Sequence, residues 1–181
     1  MVSLLTVEEF RDLPVGLKDQ LLAKVGDTNI QFYLDAAADQ VEGVCKRYIA
    51  ARTIDEMLEG KDDRDMLLSQ NPVISLTSAY TVSAAGAETA ISNSLFSVLY
   101  ASGIVRWVNP FAGTFMRGHD YRFVYSAGYS PVPLSLKLAT SIWAVDLMSP
   151  IYGVRRSAAD SEASATVLAD LLGKYRRDRI R

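Results

Sequence analysis

Residues 121–147 read YRFVYSAGYSPVPLSLKLATSIWAVDL, and the rest of the chain is organised around them. Tyr121, Phe123 and Tyr125 alternate with Arg122, Val124 and Ser126. Side chains on a strand point to opposite faces with a period of two, so the three aromatics share one face of a short strand. Gly128, Pro131 and Pro133 break that strand. Proline has no N–H to give to a ladder but suits the first turn of a helix, which predicts a helix from about Pro133. Leu134, Leu138, Ile142 and Val145 then give one apolar stripe, and the helix should end around Met148, before Pro150 and Gly153.

A second long helix is predicted upstream, over about 28–51 and capped by Asp27 or Thr28. Ile30, Leu34, Ala37, Val41, Val44 and Tyr48 form a heptad-like stripe, opposed by Gln31, Asp35, Asp39, Glu42 and Lys46. So narrow a stripe calls for one or two helical partners, and the helix from Pro133 is the obvious one. Before it, Thr6 and Glu9 have capping-box spacing and predict a short helix to about Asp12. Leu17 to Val25 is a further short helical candidate that Gly26 stops.

Between the long helices the pattern changes. Residues 52–65 read as a charged turn. Asp62, Asp63 and Asp65 lack the alternate-position register, the glycine and the distal glutamate of a calcium loop, so they read as solvated. From about 64 to 126 the chain is β-rich. Two short strands flank an Asn71-Pro72 corner, and Ala84 to Ala87 form a turn. Leu95 to Tyr100 and Ile104 to Val108 form a hairpin about Ala101-Ser102-Gly103. Asn109 to Gly113 is another turn, and Gly118-His119-Asp120 leads into the aromatic strand. Tight turns between short strands imply an antiparallel sheet, because parallel strands need long crossovers. The predicted class is α+β: two long antiparallel helices, a small antiparallel β insert and a C-terminal helical arm.

The 181 residues suit one domain, with room for an appendage, and 49% apolar with 22% charged residues is ordinary for a soluble globular protein. A formal net charge of −2 argues against a general nucleic-acid binder. No apolar run approaches the roughly 20 residues that span a bilayer. MVSLLTVEEF lacks the basic region and long apolar run of a signal peptide. Cys45 is the single cysteine, so no intrachain disulfide forms, and synthesis in a reducing cytoplasm is the expectation.

The chain makes no positive case for an enzyme. His119 is the only histidine, which excludes HExxH and two-histidine metal motifs, and it sits in a turn with no GxSxG nearby. Neither GxxxxGK[ST] nor GxGxxG occurs. Cys45 reads as a small packed residue. No cofactor or metal is expected. Trp143 neighbours the stripe of a core helix and reads as core. Trp107, beside Arg106 on a strand, reads either as core or as an interface residue, since Trp and Arg are enriched at interfaces.

Residues 157–165, SAADSEASA, read as a hinge or linker, and a last helix is expected from Ser161. It carries Val167, Leu168, Leu171, Leu172 and Tyr175 at helical spacing and ends KYRRDRIR, with five cations against one carboxylate. A solvated basic terminus, a phosphate contact and a docking arm are all compatible with the charge; the apolar stripe favours the docking arm.

The series Tyr125, Ala127, Gly128, Tyr129, Pro133 followed by a Leu- and Ala-rich helix resembles the head–tail connector (adaptor, or head-completion) proteins of tailed bacteriophages. Pro72-Val73-Ile74-Ser75-Leu76 after the first long helix resembles the same family, and the resemblance covers roughly residues 28 to 150. It implies a connector domain over 1–156, with a linker and docking arm over 157–181. It implies a structural protein of the virion neck, made in the host bacterial cytoplasm. Copies of itself would form a ring, usually twelve-fold, beneath the portal protein. The ring would extend the channel through which DNA passes without sequence-specific binding, and would present a surface to the next neck or tail protein. Leu168, Leu171, Leu172, Tyr175, Arg176, Arg177, Arg179 and Arg181 would contact the portal, while Arg106 and Trp107 are candidates for the subunit interface. Two other readings stay open: another ring-forming protein such as a stopper or tail terminator, built mainly as a β-barrel, or a nucleic-acid-binding module using the basic terminus.

Overall fold

The aromatic strand and the helix after it form as the pattern predicts, but they belong to different units. The computed structural model describes residues 3–109, 113–154 and 157–176. The chain divides into a helical unit, 1–50 with 131–181, and a sheet unit, 51–130, inserted into it.

In the helical unit, α1 (Val7–Asp12) opens with the Thr6–Glu9 capping box, each side chain accepting from the other's backbone N–H. Lys18, at the start of α2 (Lys18–Leu22), is buried. Its ammonium donates to the carbonyls of Arg11 and Leu13, which satisfies the end of α1. α3 (Asp27–Cys45) buries Ile30, Leu34, Ala37 and Val41 as the stripe requires. It then departs from expectation. Lys46 takes the left-handed conformation and ends the helix at Cys45, short of residue 51. Cys45 completes the buried face, and Val44 and Tyr48 are exposed. Nor does Asp27 or Thr28 cap the helix: Gly26 holds the N-cap position, and Asp27 pairs with Arg11 at 2.6 Å.

α4 runs over Leu134–Ile151 and contains Pro150, so it outlasts the predicted end. Pro150 has no N–H for the ladder and stands two residues before the C-cap Tyr152, so the interruption falls at the end of the helix. The expected stripe holds only in part: Val145 is buried, Leu138 and Ile142 are half-buried and Leu134 is exposed, while Leu136, Ala139, Thr140, Ala144 and Met148 are buried beside it. The hydroxyls of Thr140, Ser141 and Ser149 bond to carbonyls one turn back, which lets polar residues sit inside. α3 and α5 both pack on α4.

α5 (Ala158–Gly173) overturns the linker reading. Ser157 and Asp160 form a second capping box, and the Ser/Ala stretch is the first half of a 16-residue helix. Three long helices, not two, therefore make this unit.

The sheet unit contains β1 (Arg52–Glu59), β2 (Asp65–Leu67), β3 (Val73–Val82), β4 (Glu88–Ile91), β5 (Phe96–Leu99), β6 (Ile104–Trp107) and β7 (Asp120–Ala127). They form two antiparallel sheets, β1-β7-β3-β4 and β2-β6-β5, in place of the single small insert expected. β1 corrects the charged-turn reading of 52–59: Ile54, Glu56 and Leu58 face inward against β7, with Thr53, Asp55, Met57 and Glu59 outward. Tyr121, Phe123 and Tyr125 are buried together, as their alternation predicts, and pack with Phe96 and Phe115. Both sheets are open-edged among the described residues, unlike the closed barrel that the stopper or terminator reading anticipates.

Candidate functional site

The backbone of His119 bonds to Gly60 and Met116 and its side chain is exposed. Burial of Cys45 pushes its thiol up, which keeps it protonated. Asp62 accepts from the Arg117 N–H at 2.8 Å, Asp63 from the N–H groups of Arg64 and Asp65, and Asp65 from Arg106. Among the described residues no group of three or more His, Cys, Asp and Glu side chains could hold a metal ion. No described helix is long and apolar enough to cross a membrane. The surfaces remain.

On the three-stranded sheet, pairing register puts Leu67, Ile104 and Leu99 directly opposite one another in one row. This is the outward face, with Leu67 39% and Leu99 42% exposed. Tyr100, next in the chain, is 54% exposed. The neighbouring row on that face is polar: Asp65, Arg106 and Ser97, with Arg106 gripping the Asp65 carboxylate through two bonds of 2.6 and 2.5 Å. That pair draws the Asp65 carboxyl below its usual range. Arg106, a candidate interface residue, is thus already neutralised within its own unit. Trp107, its companion, turns the other way, against Phe96 at 4.7 Å and Phe115 at 5.7 Å between ring centroids. Gly113 lies so close that a Cβ there would sit 2.8 Å from the indole.

The hairpin tip is fixed from outside. Val73 donates to Tyr100 O at 2.8 Å, Leu68 to Gly103 O at 2.9 Å, and the Asn71 amide to Ser102 O at 3.1 Å. The Asn71-Pro72 bond in this latch is cis. On the outer face of the larger sheet, Arg122 bridges Asp55 on β1 and Glu88 on β4 with bonds of 2.6–2.9 Å and lies over the Tyr80 ring. This pulls Asp55 below the usual carboxylate range and raises Arg122 further.

In the helical unit α5 is thinly seated. Leu172, 3% exposed, is its one buried residue, Leu168, Leu171 and Tyr175 are half-buried, and Val167 is 43% exposed. The Tyr175 hydroxyl reaches Ser135 at 2.8 Å. Small residues along α5 leave a groove on each side. One, of about 480 Å³, lies between Val15, Leu138, Ile142 and Val167; the other, of about 380 Å³, between Val44, Trp143, Leu168 and Arg176. Trp143 is half-buried and packs on the helical core. Of the expected portal-contact residues, Leu168, Leu171, Tyr175 and Arg176 lie along the second half of α5 and just after it, and Leu172 faces its own core. Arg177, Arg179 and Arg181 lie outside the described residues.

Solved chains share this fold, among them three from gene transfer agent particles. One, from the neck of an empty gene transfer agent particle computed with C6 symmetry, has a TM-score of 0.71 at 23% identity, covering 98% of this chain and 91% of that one. A chain from the virion of a native gene transfer agent particle gives 0.69 at 23% identity, with the same coverage. A third, from the neck of a native particle computed with C12 symmetry, gives 0.67 at 22% identity and covers 100% of this chain and 97% of that one. No protein-family profile and no curated protein matches the sequence. At this identity the likeness is one of fold, and it takes in both units.

Sequence reading missed the Leu67–Ile104–Leu99 row and both α5 grooves. The row depends on register across three strands, and only the hairpin between two of them is signalled by a turn. The grooves depend on how small residues of α5 meet α4, which no single-segment periodicity reveals.

Proposed function

We propose that this chain is a structural, non-catalytic protein of the neck of a phage-like particle, a head–tail connector that forms a ring of its own copies beneath the portal. The observation that carries this is the match in fold along 98–100% of the chain to proteins from gene transfer agent particles, two of them described as necks. The C6 and C12 symmetries of those necks support a ring, and a twelve-fold ring agrees with the second. The local sequence resemblance to connectors around Tyr125–Pro133 and Pro72–Leu76 supports the connector role within the neck.

In this reading α5 is the portal-facing element. Leu172 seats the helix, while Leu168, Leu171, Tyr175 and Arg176 offer an apolar and cationic surface, extended by Arg177, Arg179 and Arg181. Each copy contributes a modest contact, and a ring multiplies it by holding the other contacts at high effective concentration. Head-to-tail contacts between identical copies close such a ring. The other end of the ring meets the next neck or tail protein, and DNA passes through the lumen unread.

Particles produced without this chain test the reading. The connector role predicts filled or empty heads that carry portals and lack tails. Particles with complete necks and tails in its absence would refute it.

A further inference from the structure

We infer that the outward row Leu67–Ile104–Leu99, with Tyr100 at its end, is a contact surface for a neighbouring copy of this chain in the ring. The inference rests on the ring reading and names a surface for it. The row is set by register, one residue from each of three paired strands. The opposite face of the same strands turns Met66, Val105 and Phe96 into the aromatic core, and Leu67 and Leu99 keep about two fifths of their surface open on the outward face. The tip that carries Leu99 and Tyr100 is latched by the bonds from Val73, Leu68 and Asn71, so little ordering is needed on contact.

Two observations choose the occupant. The first is size. Four partly exposed side chains fall well short of the ~800 Å² per partner of a standard stable interface. Such a patch holds a lone soluble partner only weakly. It suits a partner fixed beside it by a shared ring, where many weak contacts act together. The second is charge. The flanking polar row is neutralised internally by the Asp65–Arg106 pair. A second copy of a chain of net charge −2 therefore meets no unpaired like charge in that row.

The test is sedimentation equilibrium of the full chain from about 20 µM to about 1 mM, a range that brackets a weak contact. The expected result is a mass that rises above the 19.9 kDa monomer toward the top of the range. Leu99→Lys should weaken that association at least tenfold, and Ala85→Lys, in the exposed turn between β3 and β4, should leave it unchanged. A monomer at every concentration, or a Leu99→Lys protein that associates like the wild type, overturns the assignment. Either failure leaves the ring reading to be judged separately by whether copies surround the neck axis in imaged particles.

Discussion

The Tyr125 hydroxyl donates to Glu56 Oε1 across 2.7 Å, joining the aromatic strand β7 to its neighbour β1. The same carboxylate oxygen accepts the Ser69 N–H at 2.9 Å, and the phenol oxygen accepts the Gln70 N–H at 3.1 Å. Those two bonds tie down the segment that latches the hairpin tip. Buried Tyr125 and half-buried Glu56 thus connect the four-stranded sheet to the surface through which the neighbouring copy is proposed to bind.

Tyr125→Phe removes the hydroxyl and with it the bond to Glu56 and the bond from the Gln70 N–H. The expected cost is about 1–3 kcal/mol in urea unfolding. Burial first, and the Glu56 bond second, push the Tyr125 phenol above its ordinary value of 10.0. A raised folded pKa gives stability that is intact below the unfolded value and is lost as pH rises above it. Wild-type stability should therefore fall from about pH 10 upward, and the Phe variant should show a shallower fall.

Acid should act on a different pair. The Arg122 hydrogen bonds hold Asp55 below its usual range, so its contribution is present above about pH 4 and fades as pH falls through the depressed value. Asp55→Asn should flatten the dependence of the thermal midpoint on pH below about 4. An unchanged acid limb would show that the exposed bridge carries no stability.

Two glycines should respond oppositely to alanine. A Cβ at Gly60 would stand 2.0 Å from the Met116 carbonyl oxygen, so Gly60→Ala must displace backbone and should cost more than about 2 kcal/mol. Gly43 lies inside α3 with nothing within 4 Å of the same position. Gly43→Ala should stabilise by roughly 0.5–1 kcal/mol. Urea midpoints of the two variants check both signs.

α5 should be the weakest long helix. Leu172→Ala removes its one buried anchor and should cost about 2–5 kcal/mol of helix seating. Hydrogen exchange should quicken across 158–173, with α3 little changed. Uniform loss of protection over the whole helical unit would show instead that α5 is part of a single cooperative core.

How far the fold could be read in advance follows from where its signals are local. The Tyr121, Phe123, Tyr125 alternation and the Thr6–Glu9 box are local and appear in the structure as read. β1 escaped because its inward set includes Glu56, whose burial makes sense only with the Tyr125 hydroxyl beside it; as a bare string, Thr-Ile-Asp-Glu resembles a charged turn. The α4 stripe misled because partners on two sides leave little of its circumference dry or wet enough to mark one face. Ser157 to Ala165 looked like a linker by composition, though the Ser157–Asp160 spacing repeats the signal that located α1. The hairpin that carries Leu99 and Ile104 was legible, but the third strand and its register were not.

The most direct measurement is the native mass of this chain mixed with portal rings from the same particle. The connector account predicts a portal complex carrying this chain in a fixed multiple, twelve copies for a twelve-fold ring, with binding lost when residues 168–181 are removed. Folded protein that leaves the portal mass unchanged would contradict it.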